Sequence, residues 1–174
     1  MKITELFSKD QPSSKVSWKR KTRGVLGSAS YEIVVRDKYG KELYYSLDIA
    51  RSYVDGVYEV SFALIDDQSY TLDITRTGNE FSVFSGVAAS LRDFVATTKE
   101  ADALCFTAKE PSRIRLYRRL ATLMASELGW NKDDSLAKLF FGGWHEGDGP
   151  APFMVVRPGA EDTIAKKIMG DDQD

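Results

Sequence analysis

Two short stretches of this chain gather residue types that can hold a phosphate-bearing ligand. One is Arg76-Thr77-Gly78-Asn79, with Ser82 close behind, between the strand-like run YTLDIT and an amphipathic stretch that begins near Glu80. The other is Ser112-Arg113, between the apolar run ALCFTA and a long stretch ending at Leu128. Each places hydroxyl, amide or guanidinium donors at a helix start, where unpaired backbone N–H groups and the helix dipole favour an anion. The chemistry on offer is charge-assisted hydrogen bonding to phosphate oxygens. Both stretches also have plain readings. Gly78-Asn79 ahead of Glu80 is a tight turn with an Asn cap. Arg113 shares its helix with Arg115, Arg118 and Arg119, a solvated face whose stems cover apolar neighbours.

Two carboxylates, Glu59 and Asp73, fall in strand-like runs. Either is a general base if it faces a cleft, and an ordinary exposed strand carboxylate if it does not. His145 sits in the Gly-rich GGWHEGDGP beside Trp144, Glu146 and Asp148. One histidine in such a loop is a weak metal or base candidate, and no metal is expected. Cys105, the single cysteine, lies inside ALCFTA and reads as a small buried hydrophobe in a reducing compartment. Lys15, Lys19, Arg20, Lys21 and Arg23 cluster around Trp18. That basic run over 15–23 fits an acidic protein partner or a nucleic-acid backbone. The formal charge of −2 argues against nucleic acid as the partner.

With 174 residues, 43% apolar and 29% charged, one soluble domain is the natural expectation. No apolar run approaches the roughly 18 residues a membrane helix needs, so no membrane partner is expected. The chain reads as cytoplasmic. Its division reads as an N-terminal arm over 1–27, a single α/β domain over 28–170 and an acidic tail over 171–174.

The elements that must position these groups follow from periodicity. MKITELF makes one amphipathic turn with Ile3, Leu6 and Phe7 on one side, and the polar segment after it reads as a loop or arm. SYEIVVRD, ELYYSLDIA and VYEVSFALI alternate and are rich in β-branched and aromatic residues, which predicts an antiparallel meander. YTLDIT is a further strand. From Glu80, apolar residues Phe81, Phe84, Val87, Ala88, Leu91 and Val95 form a helical stripe. ALCFTA, a nearly continuous apolar run, predicts a strand covered on both faces. A second helix over 111–128 opens on Pro111, stops at Gly129, and carries Ile114, Tyr117, Ala121, Met124 and Leu128 on one face. LAKLFFGG and PFMVVRP read as two more strands, and 159–169 as a short helix. A right-handed parallel crossover between strands at 70–75 and 103–108 joins the halves. The fold class is α/β (α+β), a mixed, mostly antiparallel sheet with helices on its faces.

This order resembles the GCN5-related N-acetyltransferases (GNAT), over roughly 57–142. The residues that carry the resemblance are Arg113, Leu116-Tyr117, Leu120 and Leu128-Gly129-Trp130, which look like that family's second helix. The resemblance implies a GNAT-like fold, acetyl-CoA as cofactor and acyl transfer to a small-molecule or protein amine acceptor. It implies that Tyr117 protonates the departing thiolate. It also implies that the turn carrying Arg76, Thr77, Gly78, Asn79 and Ser82, extending to Gly86, holds the pyrophosphate with Ser112 and Arg113. The segments DITRTGNEFSVFSGVA and FTAKEPSRIRLYRRLA also resemble small proteins of tailed bacteriophages. That likeness implies a second expectation: a non-catalytic binding or virion-associated protein, in host cytoplasm or virion. In it, Phe81 and Phe84 fill the phosphate cradle.

Overall fold

The computed structural model describes residues 16–23, 27–37, 39–66, 69–71, 80–108, 111–142 and 150–170. Its centre is an antiparallel meander of β2 (Ala29–Arg36), β3 (Glu42–Arg51) and β4 (Val57–Asp66). Alternation sets the two faces of the meander. Tyr31, Ile33 and Val35 on β2, with Tyr45, Leu47 and Ile49 on β3, are buried on one side. Their chain neighbours point to the other.

A strand precedes this meander where a loop or arm is expected. β1 (Val16–Arg23) pairs antiparallel with β2, with Trp18 opposite Ile33 and Arg20 opposite Tyr31. Its pattern escapes apolar counting because the inward slot at position 20 holds an arginine. The Arg20 guanidinium lies 5.5 Å from the centre of the Tyr31 ring and donates to Thr97 at 2.9 Å and Asp93 at 3.3 Å.

After β4 the chain doubles back as β5 (Ser69–Thr71), antiparallel to β4. Helix α1 (Glu80–Thr97) follows, then β6 (Ala103–Ala108) and helix α2 (Pro111–Leu128). Gly129, at φ +66°, ends α2 in the left-handed conformation that favours glycine. β6 lies parallel to β4. Among the described residues the parallel neighbour of 103–108 is therefore β4, and the described start of the run at 70–75 belongs to β5, a return strand antiparallel to β4.

β8 (Ala151–Val156) and the two-residue β7 (Asn131–Lys132) complete the sheet, in the order β1-β2-β3-β4-β6-β8-β7 with β5 beside β4. The segment expected as a strand from Leu136 onward is instead helix α3 (Asp134–Phe140). Leu136, Ala137 and Phe140 bury one helical face, and the Asp133 side chain caps it by accepting from the Leu136 N–H at 2.8 Å. Helix α4 (Glu161–Met169) lies where a final helix is expected.

The fold is thus a mixed, mostly antiparallel sheet with helices on both faces, in the element order that the acetyltransferase resemblance implies. The larger core lies between the sheet and α1 with α2. Helix α1 sits close to the sheet at Gly86, where a Cβ would stand 2.5 Å from Ile33 Cγ2. Gly86 is therefore a packing glycine inside α1, not part of a phosphate turn. A smaller core joins α3 and α4 to Val57, Ala103, Cys105, Met154 and Val156 on the opposite face. Among the described residues, no helix is long and apolar enough to cross a membrane.

Candidate functional site

β4 and β6 touch only at their starts. Their parallel pairing covers Val57, Tyr58 and Glu59 against Ala103, Leu104 and Cys105. β4 then keeps β3 on one edge as far as Ile65. Its other edge meets β5 from Leu64 onward. The β6-side edge of residues 60–63 thus has no strand partner among the described residues. The facing edge of β6 over 106–108 has none either, since β8 occupies the opposite side. Among the described residues, this leaves a wedge where the parallel pairing of β4 and β6 ends, bordered by the main chain of 60–63 and 106–108. An extended chain that bears amides can add to a sheet edge through main-chain hydrogen bonds.

Tyr117 stands over the β6 wall of this wedge. Its ring meets Phe106 edge-on, with centres 5.5 Å apart and planes at 83°. Phe106 is the first β6 residue beyond the paired segment. Tyr117 is 7% exposed and belongs to the larger core. Both the amphipathic-core reading and a place at the wedge therefore hold for it.

Glu59 marks the apex, as the last β4 residue paired to β6. It is exposed and lies in register with Cys105, on the sheet face opposite Tyr117. Burial pushes the Cys105 thiol far up from its ordinary range, with the Glu59 charge adding to the shift. A thiol held protonated this way is a packing group rather than a nucleophile.

The remaining candidates divide by position. Asp73, Arg76, Thr77, Gly78 and Asn79 lie outside the described residues, as does His145. Ser112 and Arg113 fall in the first turn of α2, with side chains outside the described set. Ser82 is half-buried in the first turn of α1. Phe84 is buried at 5% exposure in the core beneath α1; the Phe81 side chain lies outside the described set. Arg115, Arg118 and Arg119 are exposed along α2. Of the basic cluster, Arg20 is tied to α1, and Lys21 pairs with Glu32 at 2.5 Å. Among the described residues, no group of three or more His, Cys, Asp or Glu could hold a metal.

Sequence reading did not find the wedge or Phe106. A signal existed: a ten-residue strand beside a six-residue one leaves part of the longer edge unpaired.

No protein-family model matches the chain, and no curated protein sequence does. Among solved structures, the chain is similar to Mycobacterium smegmatis RimJ in complex with CoA-disulfide, at 12% identity and a TM-score of 0.36. The likeness covers 83% of this chain and 60% of that one, and it is too distant to carry an argument about chemistry.

Proposed function

We propose that this protein is an acyl-CoA-dependent N-acyltransferase that passes an acyl group to an amine. The observation that carries the reading is the wedge between β4 and β6. Its backbone edges, without a strand partner among the described residues, suit the amide-bearing arm of an acyl-CoA, which would lie between the strands as an added one. Acyl-CoA would supply the activated thioester. Its phosphates would be held by Arg76, Thr77, Gly78, Asn79 and Ser82 on one side and by Ser112 and Arg113 on the other, residue types that suit an anion ahead of or within a first helical turn.

Tyr117 and Glu59 lie on opposite faces of the sheet at the wedge, which suits one acid and one base. The amine nitrogen attacks the thioester carbonyl carbon, and a C–N bond forms as the C–S bond breaks. Glu59 takes the proton the amine loses, directly or through one water. Tyr117 gives its hydroxyl proton to the leaving sulfur, and solvent restores both groups. The products are an amide and a free thiol. Asp73 is the other candidate base.

Isothermal titration with acetyl-CoA, with CoA as second titrant, tests the reading. Saturable binding that is lost in Arg113→Ala and Gly78→Glu is expected. Glu59→Gln should leave that binding intact and lower turnover of a responsive amine by about 10²–10⁴-fold. Absence of heat at millimolar ligand would overturn the assignment.

A further inference from the structure

Helix α2 carries its charge unevenly. Arg115, Arg118, Arg119, Thr122 and Ser126 recur at three- and four-residue spacing and are all exposed, so they form one stripe along the helix. The only carboxylate in the sequence of α2 is Glu127, and Arg92 of α1 neutralises it. Elsewhere on the described surface the arginines are matched: Arg20, Arg36, Arg51, Arg92 and Arg157 each meet a carboxylate. Among the described residues, Arg115, Arg118 and Arg119 meet none.

This arrangement works against the helix itself. Like charges three and four residues apart destabilise it, whereas interleaved acids at the same spacing would support it. A solvated face explains why these arginines are exposed, but not why their acids are missing. An anion seated on the stripe removes the repulsion.

The chemistry of the stripe selects the anion. Its charged groups are all guanidiniums, whose planar forks take two phosphate oxygens at once. Thr122 turns its hydroxyl back to the Arg118 carbonyl at 3.0 Å, which leaves recognition to the arginines. A protein partner would need an apolar anchor at the centre of the contact. Among the described residues, none of the large exposed apolar side chains lies on α2. Single-stranded nucleic acid needs aromatic platforms for its bases, and this face has none. A duplex needs neither, because phosphate contacts alone supply sequence-independent affinity. The major groove of DNA, about 12 Å wide, admits a helix, whereas the deep, narrow major groove of an RNA duplex does not. The formal charge of −2 describes the whole surface, and an unmatched local cluster sets its own field.

We propose that the exposed face of α2 docks on the phosphate backbone of duplex DNA through Arg115, Arg118 and Arg119, without reading sequence. The contact does not rest on the acyl-transfer reading, since none of the three arginines serves that site.

Fluorescence anisotropy of a short labelled DNA duplex, titrated with the full chain from about 50 to 200 mM salt, tests it. The logarithm of affinity should fall against that of salt with a slope of about −3, as three phosphate contacts require. Arg115→Gln should bring the slope about one unit closer to zero. Changing Arg115, Arg118 and Arg119 together to Gln should abolish the binding, while Tm holds or rises because the repulsion is gone. Thr122→Glu provides a second variant that favours the helix, since it sets an acid one turn from Arg118, and it should also weaken binding. No binding by the parent chain at low salt, or a slope that the triple variant leaves unchanged, would overturn the proposal. Tighter binding to an RNA duplex, or displacement of the DNA by poly-glutamate at equal charge, would refute the DNA contact and give the face to another partner.

Discussion

The two faces of the sheet are built by different rules. One is closed by α1 and α2, which bury aromatic and branched residues from β2 through β6 in one continuous core. Among the described residues, the other is closed only where α3 and α4 lie over β6, β8 and the start of β4. The strands record the difference. β2 alternates buried and half-buried residues along its length, whereas the first four residues of β6 are all buried. A strand buried on both sides needs apolar residues at every position, and a strand with one wet face needs them at every second one. The wedge opens where these two regimes meet, between β4 and β6.

The largest test of that comparison sets one face against the other. Phe94 is fully buried, and its ring meets Tyr58 edge-on at 5.1 Å. Phe94→Ala should cost about 3–5 kcal/mol, the lost transfer energy plus a cavity. Ser61→Ala, at an exposed site on the other face, should stay within about 0.5 kcal/mol. Urea unfolding of both variants decides the matter, and similar midpoints would break the distinction.

The next effect probes how closely α1 approaches the sheet. A side chain at Gly86 would push into Ile33, with Val16 Cγ1 at 3.2 Å on another side. Gly86→Val should therefore cost about 1–3 kcal/mol through overpacking. Ile33→Ala removes the obstructing atom. The double variant should then be more stable than the sum of the two single changes predicts. Strict additivity in unfolding midpoints would mean that the helix shifts rather than the side chain.

On the opposite face, the corresponding test is smaller. The Asp133 cap holds the start of α3, and Asp133→Ala should cost about 1 kcal/mol. Asp133→Asn, which keeps an acceptor oxygen, should recover most of it. Full loss in both variants would show that charge, rather than the hydrogen bond, holds this helix.

These contrasts also explain what the sequence could reveal. The meander was legible because one wet face enforces alternation, and both long helices were legible from their stripes, with Pro111 and Gly129 as stops. β1 was hidden by Arg20, which serves a core-facing position through its stacked stem and its bonds to Asp93 and Thr97. α3 was misread because a seven-residue helix gives two turns, too few to separate its apolar pattern from that of a strand. Glu59 could be nominated by type and strand position, and Tyr117 through the family resemblance. Their places around a wedge depend on where β6 leaves β4, a tertiary event that no local pattern encodes.

The smallest expected effect is absent at neutral pH and appears only in alkali. Cys105 lies on the α3 and α4 side and Tyr58 on the α1 and α2 side, so they report on the two cores separately. Burial is the main cause of an upward shift for both, from ordinary values of 9.0 and 10.0. The folded state therefore keeps protons that the unfolded chain releases first. Stability is fully present below pH 9 and falls as pH rises beyond the unfolded values. Cys105→Val should remove the component that begins near pH 9, and Tyr58→Phe the one that begins near pH 10. Denaturant midpoints measured from pH 7 to pH 11 would show both. A midpoint that stays flat in the parent chain through pH 11 would mean that water reaches these groups, and that neither face is as dry as its packing indicates.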